Sequence, residues 1–307
     1  MRILVVGAGA TGGYYGGRLA HAGRDVTFLV RPRRAEQLAR DGLIIQSPLG
    51  SVTVPNPKTV QAETITSPFD LILLSCKAYD LDGAMNSFGS AVGPETMILP
   101  VLNGMRHLDA LDARFGKERV LGGQCVIAAT LDAAGQIVHL NRIHALAFGE
   151  RDGASTPRIR AVADDLTSGG FDARLSENIL QDMWEKWVFL ATLAGATCLM
   201  RASIGNIVAA PRGADTAMAM YDECCQIAIA NGYGPRAKAI DTALATLTQA
   251  KSDLTASMLR DLERHARIEA DHIVGDLLRR STEERRLSLL SIAYTHLKAY
   301  EARHGLL

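Results

Sequence analysis

Ile3-Leu4-Val5-Val6-Gly7-Ala8-Gly9-Ala10-Thr11-Gly12 is the stretch whose reading decides the fold. Four apolar residues in a row suit a short strand covered on both faces. They deliver the chain to Gly7, and a helix-compatible stretch leaves from Gly12, runs to Ala22 and stops at Gly23. Three glycines spaced GxGxxG arise by chance in turns, but a strand before them and a helix after them make the unit that binds a dinucleotide. Gly7 then permits the tight turn, Gly9 lets a pyrophosphate approach the backbone, and Gly12 lets the helix lie close to the sheet. The unpaired N–H groups at the start of the helix hold the phosphates. The competing reading is a glycine-rich turn without a ligand.

Outward from this unit, short apolar runs alternate with amphipathic or Gly-terminated stretches as far as Glu150. Val26 to Val30, Leu71 to Leu74 and Met97 to Leu102 read as further strands of a parallel sheet. Leu43-Ile44-Ile45 and Val52-Thr53-Val54 flank Pro48-Leu49-Gly50-Ser51 as a small hairpin. Val120 to Ala129 and Ile137 to Phe148 suit an antiparallel pair at the edge of that sheet. Pro157 to Gly169 reads as a helix, a short strand follows near Ala173, and long helical patterns dominate from Asn178 onward. Breaks at Gly205, Pro211, Asn231 to Pro235 and Ser281 divide that part into five or six helices. The expected fold class is therefore α/β, a Rossmann-like parallel-sheet domain over residues 1–165 and an all-helical domain over residues 175–307. The linker is placed at about Gly153 to Asn178.

Composition narrows the function classes. The chain has 307 residues, 48% hydrophobic and 21% charged, as an ordinary globular protein of two domains should. Equal numbers of basic and acidic residues, 33 each, remove the overall attraction expected of a nucleic-acid binder or a polybasic membrane protein. Cys76, Cys125, Cys198, Cys224 and Cys225 form no CxxC pair and no framework spacing, so neither a metal site nor a disulfide scaffold is expected. Trp187 to Met200, the longest apolar stretch, is bounded by Lys186 and Arg201 and is shorter than the roughly 18–20 residues that span a bilayer. It reads as a buried helix. A cytoplasmic protein is expected, and its amino terminus lacks the apolar region of a signal peptide.

At the end of the second strand an acid would select the ribose hydroxyls of NAD. Arg31-Pro32-Arg33-Arg34 stands there instead, and a guanidinium complements a 2′-phosphate in charge and in bidentate geometry. NADP(H) is therefore the expected cofactor, with Arg31 its discriminating ligand. A solvated basic turn is the alternative, and the stronger reading for Arg33 and Arg34 singly. Lys77 leaves a strand at its carboxyl end, where open α/β sheets place their ligands. It serves either the cofactor or only a surface loop. Lys186 lies within Met183-Trp184-Glu185-Lys186-Trp187-Val188-Phe189-Leu190, so its ammonium either snorkels to solvent, pairs with an acid, or takes part in chemistry. Glu269 taken singly is one acid on a charged helix, Glu263 to Asp276.

Several motifs bear a joint resemblance. Gly7 to Gly12, Arg31, Lys77 in Ser75-Cys76-Lys77-Ala78, Asn103-Gly104, Lys186 after Trp184-Glu185, and Ser257-Met258 with Glu269, Asp271 and Gly275 stand in order along nearly the whole chain. Together they resemble the ketopantoate reductase (2-dehydropantoate 2-reductase) family. The resemblance implies a helical domain like the C-terminal domain of 6-phosphogluconate dehydrogenase. It also implies NADPH-dependent reduction of a 2-oxo acid to a 2-hydroxy acid, in pantothenate biosynthesis where the substrate is ketopantoate. Lys186 would then donate a proton to the ketone oxygen and Glu269 would orient substrate and lysine. Asn103 would face both nicotinamide and substrate, Ser257 would hold the substrate carboxylate, and Lys77 would contact the cofactor.

The chain departs from the family where Asn is expected four and eight residues after the lysine, having Leu190 and Ala194. Leu254 replaces a third Asn, and Ser281 to Ser288 replaces a Pro-containing segment. Loss of amide donors predicts a less polar pocket and a more apolar 2-oxo acid. Two alternatives stay open, a 3-hydroxyacid or 6-phosphogluconate-type dehydrogenase and a catalytically silent NADP-binding protein. Homodimerisation suits long helices with apolar faces.

Overall fold

The computed structural model describes residues 1–281 and 287–306. They form two compact units: Met1–Leu102 with His107–Leu180, and Asn103–Arg106 with Gln181–Leu307.

In the first unit a five-stranded parallel sheet is built from β1 (Arg2–Val6), β2 (Asp25–Leu29), β5 (Lys58–Val60), β6 (Leu71–Leu74) and β7 (Met97–Pro100). Its order is β5-β2-β1-β6-β7, so the chain reverses direction across the sheet at β1. Ile3 pairs with Val26 on one side and Leu71 on the other. Continuous apolar strands form here because both faces are covered: Ile3, Leu4, Val5 and all of β6 are fully buried. β5 had no signal in the sequence, since a three-residue edge strand with two polar residues lacks an apolar period.

One covering layer is α1 (Ala10–His21), and its sequence carries an unusual load of glycine for a helix. Each mid-helix glycine costs about 1 kcal/mol relative to alanine. Close packing explains the choice. A Cβ at Gly16 would lie 2.7 Å from Phe28 and 2.8 Å from Val5 of the parallel sheet. On adjoining parts of the helix surface, a Cβ at Gly17 would lie 2.5 Å from Leu43, and one at Gly13 would lie 2.6 Å from Ile137.

Those last contacts belong to a second sheet, formed by β3 (Leu43–Gln46), β4 (Val52–Val54), β8 (Gly122–Leu131), β9 (Ile137–Gly149) and β10 (Asp172–Leu175). Both hairpins form in the expected antiparallel sense, β3 with β4 and β8 with β9. The second pair belongs to this other sheet, however, and meets the parallel sheet beside β7, where Val120 bridges to Ile98 and Leu121 N–H donates to Ile98 O at 2.9 Å. α1 is apolar on its far side too, and burying Tyr14 and Tyr15 requires a second sheet. Tyr14 Oη lies 2.7 Å from His144 Nδ1, and Tyr15 donates to the Ala145 carbonyl at 2.9 Å. A strand's own alternation does not say which sheet it joins. The unit also holds α2 (Pro32–Asp41), α3 (Leu81–Phe88), most of α4 (Arg106–Phe115) and α5 (Pro157–Thr167). α5 and β10, the helix and short strand expected between Gly153 and Asn178, group with the first unit, whose last residue is Leu180.

The second unit is helical: α6 (Ile179–Met200), α7 (Ile204–Ala209), α8 (Gly213–Ala230), α9 (Ala237–Leu247), α10 (Ser257–Glu263), a π-helical turn (Asp271–Gly275), α11 (Asp276–Arg279) and α12 (Leu289–Arg303). Among the described residues this exceeds the five or six helices expected. Gly205 is not a break but lies inside α7, where a Cβ would sit 2.4 Å from the Ser252 nitrogen. The break comes earlier, at Arg201 with φ 53. Glu263 to Asp276 is not one helix either, because α10 ends at Glu263 and His265 takes a left-handed φ of 56. The Ser281 to Ser288 departure falls mostly on residues 282–286, outside the described residues. Trp187 to Met200 is the later part of α6, and among the described residues no helix is long and apolar enough to cross a membrane. Cys224 and Cys225 lie buried in α8, where burial pushes their thiols up to about 12 and about 11. They are packing residues.

Candidate active site

On the first unit, the loop after β1 is shaped by its glycines. Gly7 has φ +90, the left-handed region that glycine adopts freely, and its N–H donates to Leu29 O at 3.0 Å. Gly9 is the N-cap of α1; its position is open, with no atom within 4 Å of a Cβ, and no side chain caps the helix. Gly12 is the reverse case, since a Cβ there would lie 2.5 Å from Gly7 O and 2.2 Å from Ser75 Oγ. An uncapped helix start with no acid in its first turn presents unspent N–H groups and a partial positive charge. These residues fit a dinucleotide phosphate.

Arg31 is exposed, follows β2 and is the N-cap of α2. Lys77 follows β6, half-buried, just before the turn Ala78–Asp80. Gly7, Arg31 and Lys77 therefore leave the carboxyl ends of three adjacent strands. Arg33 is exposed, but Arg34 is not a solvated turn residue. Its guanidinium donates to Ala8 O at 2.9 and 3.2 Å, to Gln37 Oε1 at 2.7 Å and to Gly135 O at 2.8 Å. Burial lowers its pKa from the ordinary value. Arg34 ties the glycine loop to α2 and to Gly135, a role invisible in Arg31-Pro32-Arg33-Arg34 read alone.

In the second unit the structure brings together two residues singled out from the sequence. Lys186, half-buried on α6, donates from Nζ to Asn103 Oδ1 at 3.0 Å, across 83 positions of chain. The neighbouring Trp187 donates from Nε1 to Ile273 O, in the π-turn, at 2.8 Å. Closing the triangle, the buried His272 hydrogen-bonds the Asn103 backbone. A Cβ at Gly104, with φ +79, would lie 2.9 Å from His272 O and 3.0 Å from its Cδ2. The other flank of α6 is held by Arg236, which donates to Glu185 Oε1 from its backbone at 2.8 Å and from Nε at 2.7 Å, and also ion-pairs with Asp182.

Glu269 is half-buried two residues before the π-turn, and its carbonyl accepts from His272 and Ile273 N–H at 3.2 and 3.0 Å. Its charge favours the protonated form of His272, but burial wins and lowers that imidazole's pKa. Asp271 accepts from Tyr294 Oη at 2.6 Å and Lys298 Nζ at 3.0 Å. Gly275 faces the Tyr294 ring, which a Cβ would meet at 2.8 Å. These two motif residues thus seat the π-turn on α12. Ser257 is the exposed first residue of α10, and is not drawn into the triangle. His272 carries no signal in the sequence, and Arg34 reads there as a solvated turn residue, because Asn103 and Ala8, with which they bond, lie far away along the chain.

A parallel sheet reversing at a GxGxxG turn, followed by a helical unit carrying a lysine held by an amide, defines an oxidoreductase of the dinucleotide-binding kind. Family models described as ketopantoate reductase PanE/ApbA and ketopantoate reductase PanE/ApbA C terminal match residues 3–153 and 178–301. The chain belongs to the ketopantoate reductase family. It is 39% identical over 98% of its length to an uncharacterized oxidoreductase, YkpB, of Bacillus subtilis (strain 168), covering 99% of that protein. The crystal structure of 2-dehydropantoate 2-reductase from Geobacter metallireducens GS-15 superposes with a TM-score of 0.88 at 28% identity, covering 97% of this chain and 99% of that one. A D-mandelate dehydrogenase solved with NADH and anilino(oxo)acetate shares the fold, with a TM-score of 0.85 at 20% identity over 99% of this chain and 100% of that one.

Proposed function

We propose that this protein reduces a 2-oxo acid to the 2-hydroxy acid with NADPH, with Lys186 as the general acid. A nicotinamide cofactor, when bound, supplies the hydride. Lys186 hydrogen-bonds the ketone oxygen, polarises it, and gives up a proton as negative charge develops there. Asn103 holds the ammonium through a neutral oxygen, which orients it while leaving its charge intact. Glu269 orients the substrate and Ser257 takes its carboxylate. The observation carrying this reading is the 3.0 Å bond from Lys186 to Asn103. It answers how an ammonium is kept at the head of the apolar run Trp187 to Leu190 of α6.

Gly7, Gly9 and Gly12 hold the pyrophosphate in this reading, with Lys77 beside them. Arg31 sets the preference for NADPH. The shared fold carries NADH in the D-mandelate dehydrogenase, so the choice of phosphate rests on this side chain. Arg31→Ala is expected to weaken NADPH binding by about 10-fold or more, the scale of one charge-assisted hydrogen bond. NADH affinity stays within twofold. Fluorescence titration with both cofactors checks this; unchanged NADPH affinity would sink the assignment.

The substrate is an apolar 2-oxo acid. Leu190 and Ala194 follow Lys186 by four and eight residues on α6, hence on neighbouring parts of one helix face. Leu190 and Leu254 are half-buried and Ala194 is buried. Carbon at these positions offers no donor to a substrate hydroxyl. An NADPH-oxidation panel of 2-oxo acids is the test: branched or aromatic side chains should give higher kcat/KM than ketopantoate, and a strong preference for ketopantoate would refute the altered pocket. The same three substitutions favour a second reading, an NADP-binding protein without turnover. Tight NADPH binding with no oxidation across the panel would establish it.

A further inference from the structure

The π-turn Asp271–Gly275 places one side chain where none of the family motifs has a residue. A π-helical turn shifts the register of side chains along a helix and is expensive enough to be rare, so it is kept where it serves something. Here it splits its residues between two directions. Asp271 points to Tyr294 and Lys298 on α12, while His272 is turned inward and buried, 6% exposed, against Asn103 and Gly104.

We infer that His272 is a positioning residue for the reaction, its imidazole N–H holding the Asn103 carbonyl so that the Asn103 amide is presented to Lys186. Four observations converge on it. The hydrogen bond to the Asn103 backbone favours protonated His272, which makes the imidazole the donor and the carbonyl the acceptor. Gly104 has φ +79 and no side chain, which lets the loop lie against His272, whose Nε2 would be 3.4 Å from a Cβ there. Trp187, the residue after Lys186, donates to the carbonyl following His272, so α6 and the π-turn are pinned beside each other. Finally, Asn103–Arg106 packs with the second unit although the chain on both sides of it packs with the first. The His272 and Lys186 bonds are what hold Asn103 there. Glu269, Asp276 and Arg106 are the charged groups around the imidazole. Burial keeps it neutral, with one N–H committed to Asn103.

The proposal rests on Lys186 being the acid, and its test separates the two claims. His272→Ala and His272→Phe remove the donor with opposite changes of volume, so that a packing failure in one need not recur in the other. His272→Gln retains a donor. With the best substrate of the 2-oxo acid panel, both donor-less variants should lose about 10- to 100-fold in kcat, the cost of a small misplacement of a reacting group. KM for NADPH should stay within twofold, and His272→Gln should recover part of kcat. Crystal structures of the variants should show the bond from Lys186 to Asn103 lengthened beyond hydrogen-bond distance. Wild-type kcat in both donor-less variants, or a persisting 3.0 Å bond, overturns the inference. Full turnover in Lys186→Ala instead overturns the functional reading, and leaves the crystallographic result to decide whether His272 still places Asn103.

Discussion

On the proposed reaction, Lys186→Ala is expected to lose turnover by about 10²- to 10⁴-fold, the range that a positioned general acid contributes. The loss falls in kcat, because the ammonium matters most when charge builds on the ketone oxygen. NADPH affinity is nearly unchanged, since the glycine turn and Arg31 sit in the other unit. Stability should change little. The truncation removes a half-buried polar head, and α6 stays anchored by Trp187 to Ile273 and by Arg236 to Glu185. Lys186→Arg should not rescue activity, because a guanidinium has a higher pKa, is a weaker proton donor and carries a planar fork too wide for the place of an ammonium. Steady-state kinetics with a thermal melt as control decide the matter. Turnover near wild type in a folded Lys186→Ala protein would remove Lys186 from the mechanism.

The second large effect separates two glycines that the motif presents as equals. At Gly12 a new methyl meets a backbone oxygen at 2.5 Å and Ser75 Oγ at 2.2 Å. The hydroxyl can turn away; Gly7 O cannot, because Gly7 is tied to Leu29 by its own N–H. Gly12→Ala therefore forces α1 off the sheet, and overpacking of this kind costs about 1–3 kcal/mol. A fall of several degrees in melting temperature and a loss of NADPH binding should come together. Gly9→Ala, by contrast, meets no atom within 4 Å and has an ordinary φ of −82. Its melting temperature should stay near wild type while NADPH affinity drops, because the methyl fills only the space a pyrophosphate would use. Equal melting temperatures for the two variants would show that α1 tolerates the shift, and undiminished NADPH affinity in Gly9→Ala would place the phosphates elsewhere.

Local structure carried by neighbours in sequence was readable from the chain alone. A strand, a GxGxxG turn and a helix are local in the chain, so Gly7, Gly9 and Gly12 and the strands around them could be named from residue types and spacing. Arg31 could be named as well, because strand ends are local features. The hairpins β3/β4 and β8/β9 were legible as pairs, since turn residues sit between their strands. Their membership in a second sheet was not, because it depends on the far face of α1. The same holds for the glycines at 13, 16 and 17, whose spacing looks like helix weakness until the strands on both sides are in place. Glu269 was assigned to a continuous charged helix, and the left-handed turn at His265 separates it from α10.

The chain's local patterns were thus enough for the sheet-plus-helix architecture, and they singled out the glycine turn and Lys186 as candidates. Packing among segments remote in sequence supplied the rest: the Asn103 side-chain oxygen that accepts from the Lys186 ammonium, the π-turn that sets the buried His272 against Asn103, and the bond from Arg34 to the Ala8 carbonyl of the glycine loop. The reason is physical. A hydrogen bond between residues 83 positions apart leaves no periodicity, no turn residue and no spacing in either stretch, so it becomes visible only when the fold has closed the distance.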